Sequence, residues 1–228
     1  MKLSINNRVL SSPIPTERSI DGWEHIPIIE CGERLVSLNN IDARIKCECE
    51  YVARESVATK LMLASAYLPS DCVLYIRDAH RTIAMQKKLF DDYYNKLASE
   101  HPNATESELI ELAKEYVTIP TANPLAPPPH STGGAIDLTI HCNGTKIEMG
   151  SVSGKYVPQD ETAYYEMQLA RNNLTLYGVQ SLINRRILYN AMIFAGFTNN
   201  PNEWWHFDYG NQFWAKIKGT TAVYGMID

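Results

Sequence analysis

The stretch HSTGGAIDLTIHCNGT, residues 130–145, decides how the chain folds. Ala135 to Ile140 alternates as a strand does, with isoleucine and leucine at every second position. Asn143-Gly144 follows, a pair suited to the two-residue turn of a β-hairpin. The returning strand is expected over Thr145-Lys146-Ile147-Glu148-Met149. Ahead of the strand, Gly133-Gly134 permits a tight bend and close backbone approach. One residue does not fit a plain strand. Asp137 lies among apolar neighbours, where a carboxylate is costly unless it is paired or binds a metal.

Working outward, helical patterns alternate with short strands. A helix is expected from about Glu50 to Leu68, ending before Pro69. Asp71 to Asp78 reads as a strand. Thr82 to Leu97 reads as a helix, with Ile83, Gln86, Phe90, Tyr93, Tyr94 and Leu97 at helical spacing. Thr105-Glu106-Ser107-Glu108 fits a capping box. The helix it opens carries Leu109, Leu112, Ala113 and Tyr116 on one side. Five prolines between Ile119 and His130 make a loop. Residues 160–173 and about 179–195 read as helices, the second closed by Gly196. Glu203 to Tyr209 reads as a strand or strand edge. Helices alternating with hairpin-linked strands, without regular βαβ units, predict an α+β fold around a mainly antiparallel central sheet.

The chain has 228 residues, which suits one domain over 1–228, with an irregular N-terminal segment, residues 1–40, packed on it. Hydrophobic residues are 45% and charged residues 21% of the chain, a globular balance. A net charge of -5, with scattered Lys and Arg, argues against nucleic acid or an anionic membrane as partner. No apolar run reaches the roughly 18 residues of a membrane span, and the N-terminus has no signal-peptide pattern. Five cysteines form no disulfide framework, and Cys47-Glu48-Cys49 is too tight for a zinc pair. They are expected to be reduced thiols in a cytoplasmic protein.

Four residues suit one metal centre: His130, Asp137, Glu203 and His206. A catalytic zinc commonly takes three protein ligands from His, Asp and Glu and leaves a position open. The remaining residue, a carboxylate nearby, can then move protons. Glu203 and His206 are three apart, so a regular strand would point them to opposite faces. They converge only at a turn or bulge, which Pro201-Asn202 makes available. Each residue also fits an ordinary role: His130 in a loop, Asp137 capping a hairpin, Glu203 paired with an arginine, and the two tryptophans filling core.

These residues fall into two motifs. Pro128-Pro129-His130-Ser131-Thr132-Gly133-Gly134-Ala135-Ile136-Asp137 resembles S-x-H-x-x-G-x-A-x-D. Glu203-Trp204-Trp205-His206 resembles E-x-W-H. Both patterns, in this order, mark the D-alanyl-D-alanine dipeptidases of the vancomycin-resistance type, within the zinc peptidases that share the hedgehog signalling fold. Asp78-Ala79-His80-Arg81 resembles the family's D-x-Y-R-P, and Glu148-Met149-Gly150 its D-M-G. The resemblance covers about residues 40–215.

The resemblance implies one zinc per chain on His130, Asp137 and His206. It implies Glu203 as the base that activates water, Arg81 as support for the oxyanion, and Glu148 as the acceptor of the substrate ammonium. The implied substrate is D-Ala-D-Ala or a similar short peptide with D-residues, drawn from cell-wall peptidoglycan. A related D,D-carboxypeptidase or stem-peptide hydrolase is the alternative, and a zinc-binding signalling homologue without turnover is another. Three departures bear on specificity: Pro128 replaces the motif serine, Thr82 replaces a proline, and Ser151-Val152-Ser153-Gly154 replaces T-x-F-D. His80 stands at a family tyrosine and reads as a support behind the site or as packing, not as a direct participant. His25, His101 and His141 fit no motif.

Overall fold

The structure, a computed structural model, describes residues 10–16, 19–114, 117, 119–151 and 157–227. Tyr116 and Val152-Ser153-Gly154 lie outside the described residues. So do residues 1–9, 17 and 18 of the segment 1–40. Eight strands are described: β1 (Leu35–Ser37), β2 (Ile45–Cys47), β3 (Val52–Arg54), β4 (Cys72–Asp78), β5 (Ala135–Cys142), β6 (Thr145–Lys146), β7 (Thr198–Asn199) and β8 (His206–Asp208). Six α-helices are described with them: α1 (Glu55–Tyr67), α2 (Ile83–Glu100), α3 (Glu106–Lys114), α4 (Tyr164–Ala170), α5 (Leu176–Phe194) and α6 (Gln212–Lys218).

The central sheet runs β2-β4-β5-β8-β7, with β6 added to β5. Only β2–β4 is parallel, so the sheet is mainly antiparallel, as the hairpin pattern predicts. Period-2 alternation assigns the faces. Leu74 and Ile76 on β4 and Ile136, Leu138 and Ile140 on β5 are fully buried and join one core with Leu61 of α1 and Leu188 and Met192 of α5. The intervening Asp137 therefore points to the other face. The α2–α3 pair builds a small core of its own from Leu97, Leu109 and Ala113. Its capping box forms as read: Thr105 N–H donates to Glu108 Oε2 at 2.7 Å, and Glu108 N–H to Thr105 Oγ1 at 3.3 Å.

Three expectations are corrected. The first helix starts at Glu55, because Val52–Arg54 pairs with β1 as a strand. The return strand stops at Lys146, since Ile147 makes one last backbone bond to Ile140 before the chain turns toward α5. The five cysteines are not all thiols. Cys72 and Cys142 sit in register across β4 and β5, with Cα atoms 4.0 Å apart, and form a disulfide. Seventy residues separate them, so no local motif announces the pair. The cysteines thus give no argument for a reducing compartment. Cys31, Cys47 and Cys49 are free. Among the described residues no helix is long and apolar enough to cross a membrane.

One buried cation ties the ends of the chain to the loop before β5. Arg54 is 1% exposed. Its Nε donates to the Thr132 carbonyl at 2.9 Å, and its two Nη atoms donate to both Glu30 oxygens at 2.9 Å. It also donates to the carbonyls of Glu33 and Gly225 and stacks on Tyr224. Arg54→Met keeps the bulk but strands these acceptors. It is expected to cost about 3 kcal/mol, the low end for breaking a buried pair because Glu30 retains water contact. Chemical denaturation of the two proteins measures the difference; a loss under about 1 kcal/mol would show that the clamp contributes little.

Candidate active site

The site lies where β5 begins, between β4 and β8. Pro129–Thr132 forms a 3-10 turn that carries His130. Gly133 ends it at φ 70°, and a Cβ there would meet Leu35 at 2.6 Å. Gly134 lies so close to the Tyr209 carbonyl that a Cβ would come within 2.5 Å of it. The glycine pair thus lets the loop fold tightly back onto β8, as the sequence suggests.

β4 and β5 change register between Ile76 and Asp78, and the irregularity sets Asp78 opposite Asp137. Two facing carboxylates need a cation. Arg81 supplies it: Nε donates to Asp78 Oδ2 at 2.7 Å, and Nη2 lies 3.7 Å from Asp137 Oδ2. Its Nη1 donates to Gln86 Oε1 at 2.8 Å, and its backbone N–H to the His130 carbonyl.

Glu203 and His206 do converge, and a turn brings them together. Glu203 N–H donates to the Asn200 carbonyl and His206 N–H to the Glu203 carbonyl, so the strand begins only at His206. Asn199 Nδ2 holds the turn by donating to the carbonyls of Glu203 and His206 at 3.1 and 2.9 Å. Trp204 is buried, set edge-on to Trp205, and its Nε1 donates to Ser151 Oγ at 2.8 Å. Trp205 is half-buried against the core.

The donor atoms of His130, Asp137 and His206 all lie within 4.8 Å of one another. His130 Nε2 is 3.3 Å and His206 Nδ1 3.0 Å from Asp137 Oδ1. The outer nitrogens are held from behind: His130 Nδ1 by the Ala79 carbonyl at 2.6 Å, His206 Nε2 by Asp208 Oδ1 at 3.2 Å. Glu203 Oε2 lies 3.6 Å from His206 Nδ1 and accepts from Asn200 Nδ2 at 3.3 Å.

Charge follows from this geometry. Burial pushes the Asp137 carboxyl up, but the two histidines outweigh it and hold the group well below the ordinary carboxylate range. Burial raises Glu203 to about 7, with Asp137 and Asp208 adding to the rise and His206 and Arg81 opposing it. Burial lowers His206, yet Asp208 and Asp137 carry it well above an ordinary histidine. A buried carboxyl near 7 suits a group that must both take and give a proton.

Glu148 stands apart from this cluster. Its carboxylate accepts from Gly150 N–H at 2.5 Å and from the Tyr177 hydroxyl. Burial raises it, but those bonds bring it below its usual value. The same bond raises Tyr177 to about 12. Tyr177 also lines a cavity of about 440 Å³ with Ser151, Tyr164, Tyr165 and Gln168. Beside Pro128, the Ser131 hydroxyl donates back to the Pro128 carbonyl at 2.8 Å. His80 faces the Ile227 carbonyl through Nε2 at 3.1 Å. Asp208, Asn199 and Asn200 were not singled out from sequence. Asp208 had a signal, because residues i and i+2 of a strand share a face, and it is two beyond His206.

Residues 30–221 match the family described as D-ala-D-ala dipeptidase. The chain belongs to that family. It is therefore a peptidase, and the two motifs met in sequence are those its fold brings together. A curated D-alanyl-D-alanine dipeptidase from Synechocystis sp. is 28% identical over 216 residues, covering 83% of this chain and 87% of that protein. Two solved structures are also similar. One is a vancomycin resistance D,D-pentapeptidase VanY mutant in complex with Zn(II), with TM-score 0.46 and 15% identity over 88% of this chain and 97% of that one. The other is VanYB in complex with D-alanine-D-alanine, with TM-score 0.44 and 14% identity over 92% and 90%.

Proposed function

We propose that this chain is a zinc-dependent dipeptidase acting on D-Ala-D-Ala or a similar short peptide with D-residues. The observation that carries the reading is the convergence of two imidazole nitrogens on Asp137, with Glu203 beside them. The donor set suits zinc: two nitrogens and one carboxylate, with a carboxylate neighbour left over. Both histidines have their outer nitrogen anchored, as metal-binding imidazoles do. His130, Asp137 and His206 would hold one ion per chain. Zinc bound there would lower the pKa of water and polarise a carbonyl.

The protein's own groups do the rest. Glu203 takes a proton from the attacking water and delivers it to the leaving amine. Arg81, held by Asp78 and Gln86, presents a fixed guanidinium to the developing oxyanion. Glu148, kept ionised by its hydrogen bonds, takes the substrate ammonium. The family description and the Synechocystis relative, both named for D-Ala-D-Ala, support this substrate class.

Metal analysis and a dipeptide panel test the reading together. About one zinc per chain is expected, with D,D-dipeptides cleaved in preference to L,L-dipeptides and activity lost to a chelator. A protein that holds no zinc, or that is inert on D,D-dipeptides but cleaves longer stem peptides, would overturn the dipeptidase reading.

A further inference from the structure

We infer that Asp208 is a positioning residue that fixes His206 for metal binding; this rests on the proposed zinc site. Asp208 closes β8, pairing with Ala135 of β5 on one side and Thr198 of β7 on the other. Its backbone is thus held from both sides, and its side chain is fully buried. Oδ1 accepts from Asn211 Nδ2 at 2.6 Å and faces His206 Nε2 at 3.2 Å. Oδ2 is buried with no hydrogen-bond partner among the described residues. His206 is its one ion-pair partner among them.

A carboxylate in this setting is expensive as packing. A neutral amide would satisfy Asn211 at less cost, so the charge has another use. The two histidines explain it. His130 turns Nε2 to the cluster and gives Nδ1–H to a backbone carbonyl, the neutral anchor its loop supplies. His206 is on a strand and faces the cluster with Nδ1, so Nε2 must be anchored from within the sheet. Asp208 is the acceptor there. It holds one proton on Nε2, so that Nδ1 is the nitrogen a metal would take beside Asp137, and it fixes the ring plane. Asn211, the N-cap of α6, locks Oδ1 in turn while its own oxygen accepts from Trp214 N–H at 3.0 Å. The charge also matters: with Asp137 it brings two negative charges to a dication.

The test uses the full chain with Asp208→Ala and Asp208→Asn. Zinc affinity is measured by competition with a chromophoric chelator. Tautomers are read by long-range proton–nitrogen NMR of the zinc-loaded proteins. Asp208→Ala is expected to weaken zinc binding about 10–100-fold, the usual cost of losing such an outer partner. Asp208→Asn keeps the shape and the oxygen, so it should lose part of that affinity. His206 should carry its proton on Nε2 in the wild type and lose that fixed tautomer in Asp208→Ala, while His130 is unchanged. If Asp208→Ala fails to fold, Asp208→Asn decides. Wild-type zinc affinity in the variants, with His206 still protonated on Nε2, overturns the positioning role and leaves the zinc site standing. A wild type that binds no zinc overturns the zinc site itself.

Discussion

Glu203→Gln is expected to lower kcat on D-Ala-D-Ala by about 10²–10⁴-fold while one zinc stays bound per chain. The substitution is nearly isosteric. It keeps an oxygen for the Asn200 amide, which donates to Glu203 Oε2 at 3.3 Å. It keeps the turn, because the Asn199 and Asn200 bonds there go to backbone atoms of Glu203. What it removes is a buried group that can be charged at one moment and protonated at the next. The wild-type carboxyl is raised to about 7 by burial, so both forms are within reach at neutral pH. Gln has only the neutral form. KM should change little, since the base is not a binding group in the ground state. Steady-state kinetics with metal analysis on the same sample separates the outcomes. A large fall in zinc content would make Glu203 a ligand rather than a base. Unchanged kcat would remove it from the chemistry.

This division of labour could be read in sequence only in part. The strand at Ala135–Ile140 and the Asn143-Gly144 turn carry strong local signals, and both form. His130 and Asp137 belong to one short loop-and-strand unit, so their proximity follows from local structure. Glu203 and His206 needed more. Three residues apart on a strand they would diverge, and they converge only because two asparagines reshape the backbone before β8. Those asparagines look like ordinary turn formers in sequence. The disulfide and Arg54 show the same limit at longer range. Cys72 meets Cys142 through strand register, and Arg54 meets Glu30, Thr132 and Gly225 through tertiary folding alone. Asp208 is an intermediate case, since period 2 places it on the His206 face but not its partner Asn211.

Zinc binding should tighten steeply between about pH 5.5 and 8, and the stabilisation by zinc should grow with it. In the metal-free protein His206 holds a proton well above its usual range, because Asp208 and Asp137 outweigh its burial. Glu203 is protonated up to about 7. Zinc needs the His206 lone pair, so that proton must leave, and a dication nearby also favours ionised Glu203. Each proton released makes affinity rise about tenfold per pH unit while the group is still protonated without metal. The sign for folding runs the other way. Both folded values are raised above the ordinary 4.5 and 6.5. Their stabilisation is complete below those values and is lost as pH rises through the folded ones, so the metal-free protein weakens across this window. Asp137 has a depressed value, so its contribution is already complete above about pH 5 and adds no slope here. The gap in Tm between zinc-loaded and chelator-treated protein should therefore widen from pH 5.5 to 8. An equal gap at both ends would mean that zinc displaces no proton, and His206 would not be the ligand that Asp208 holds in place.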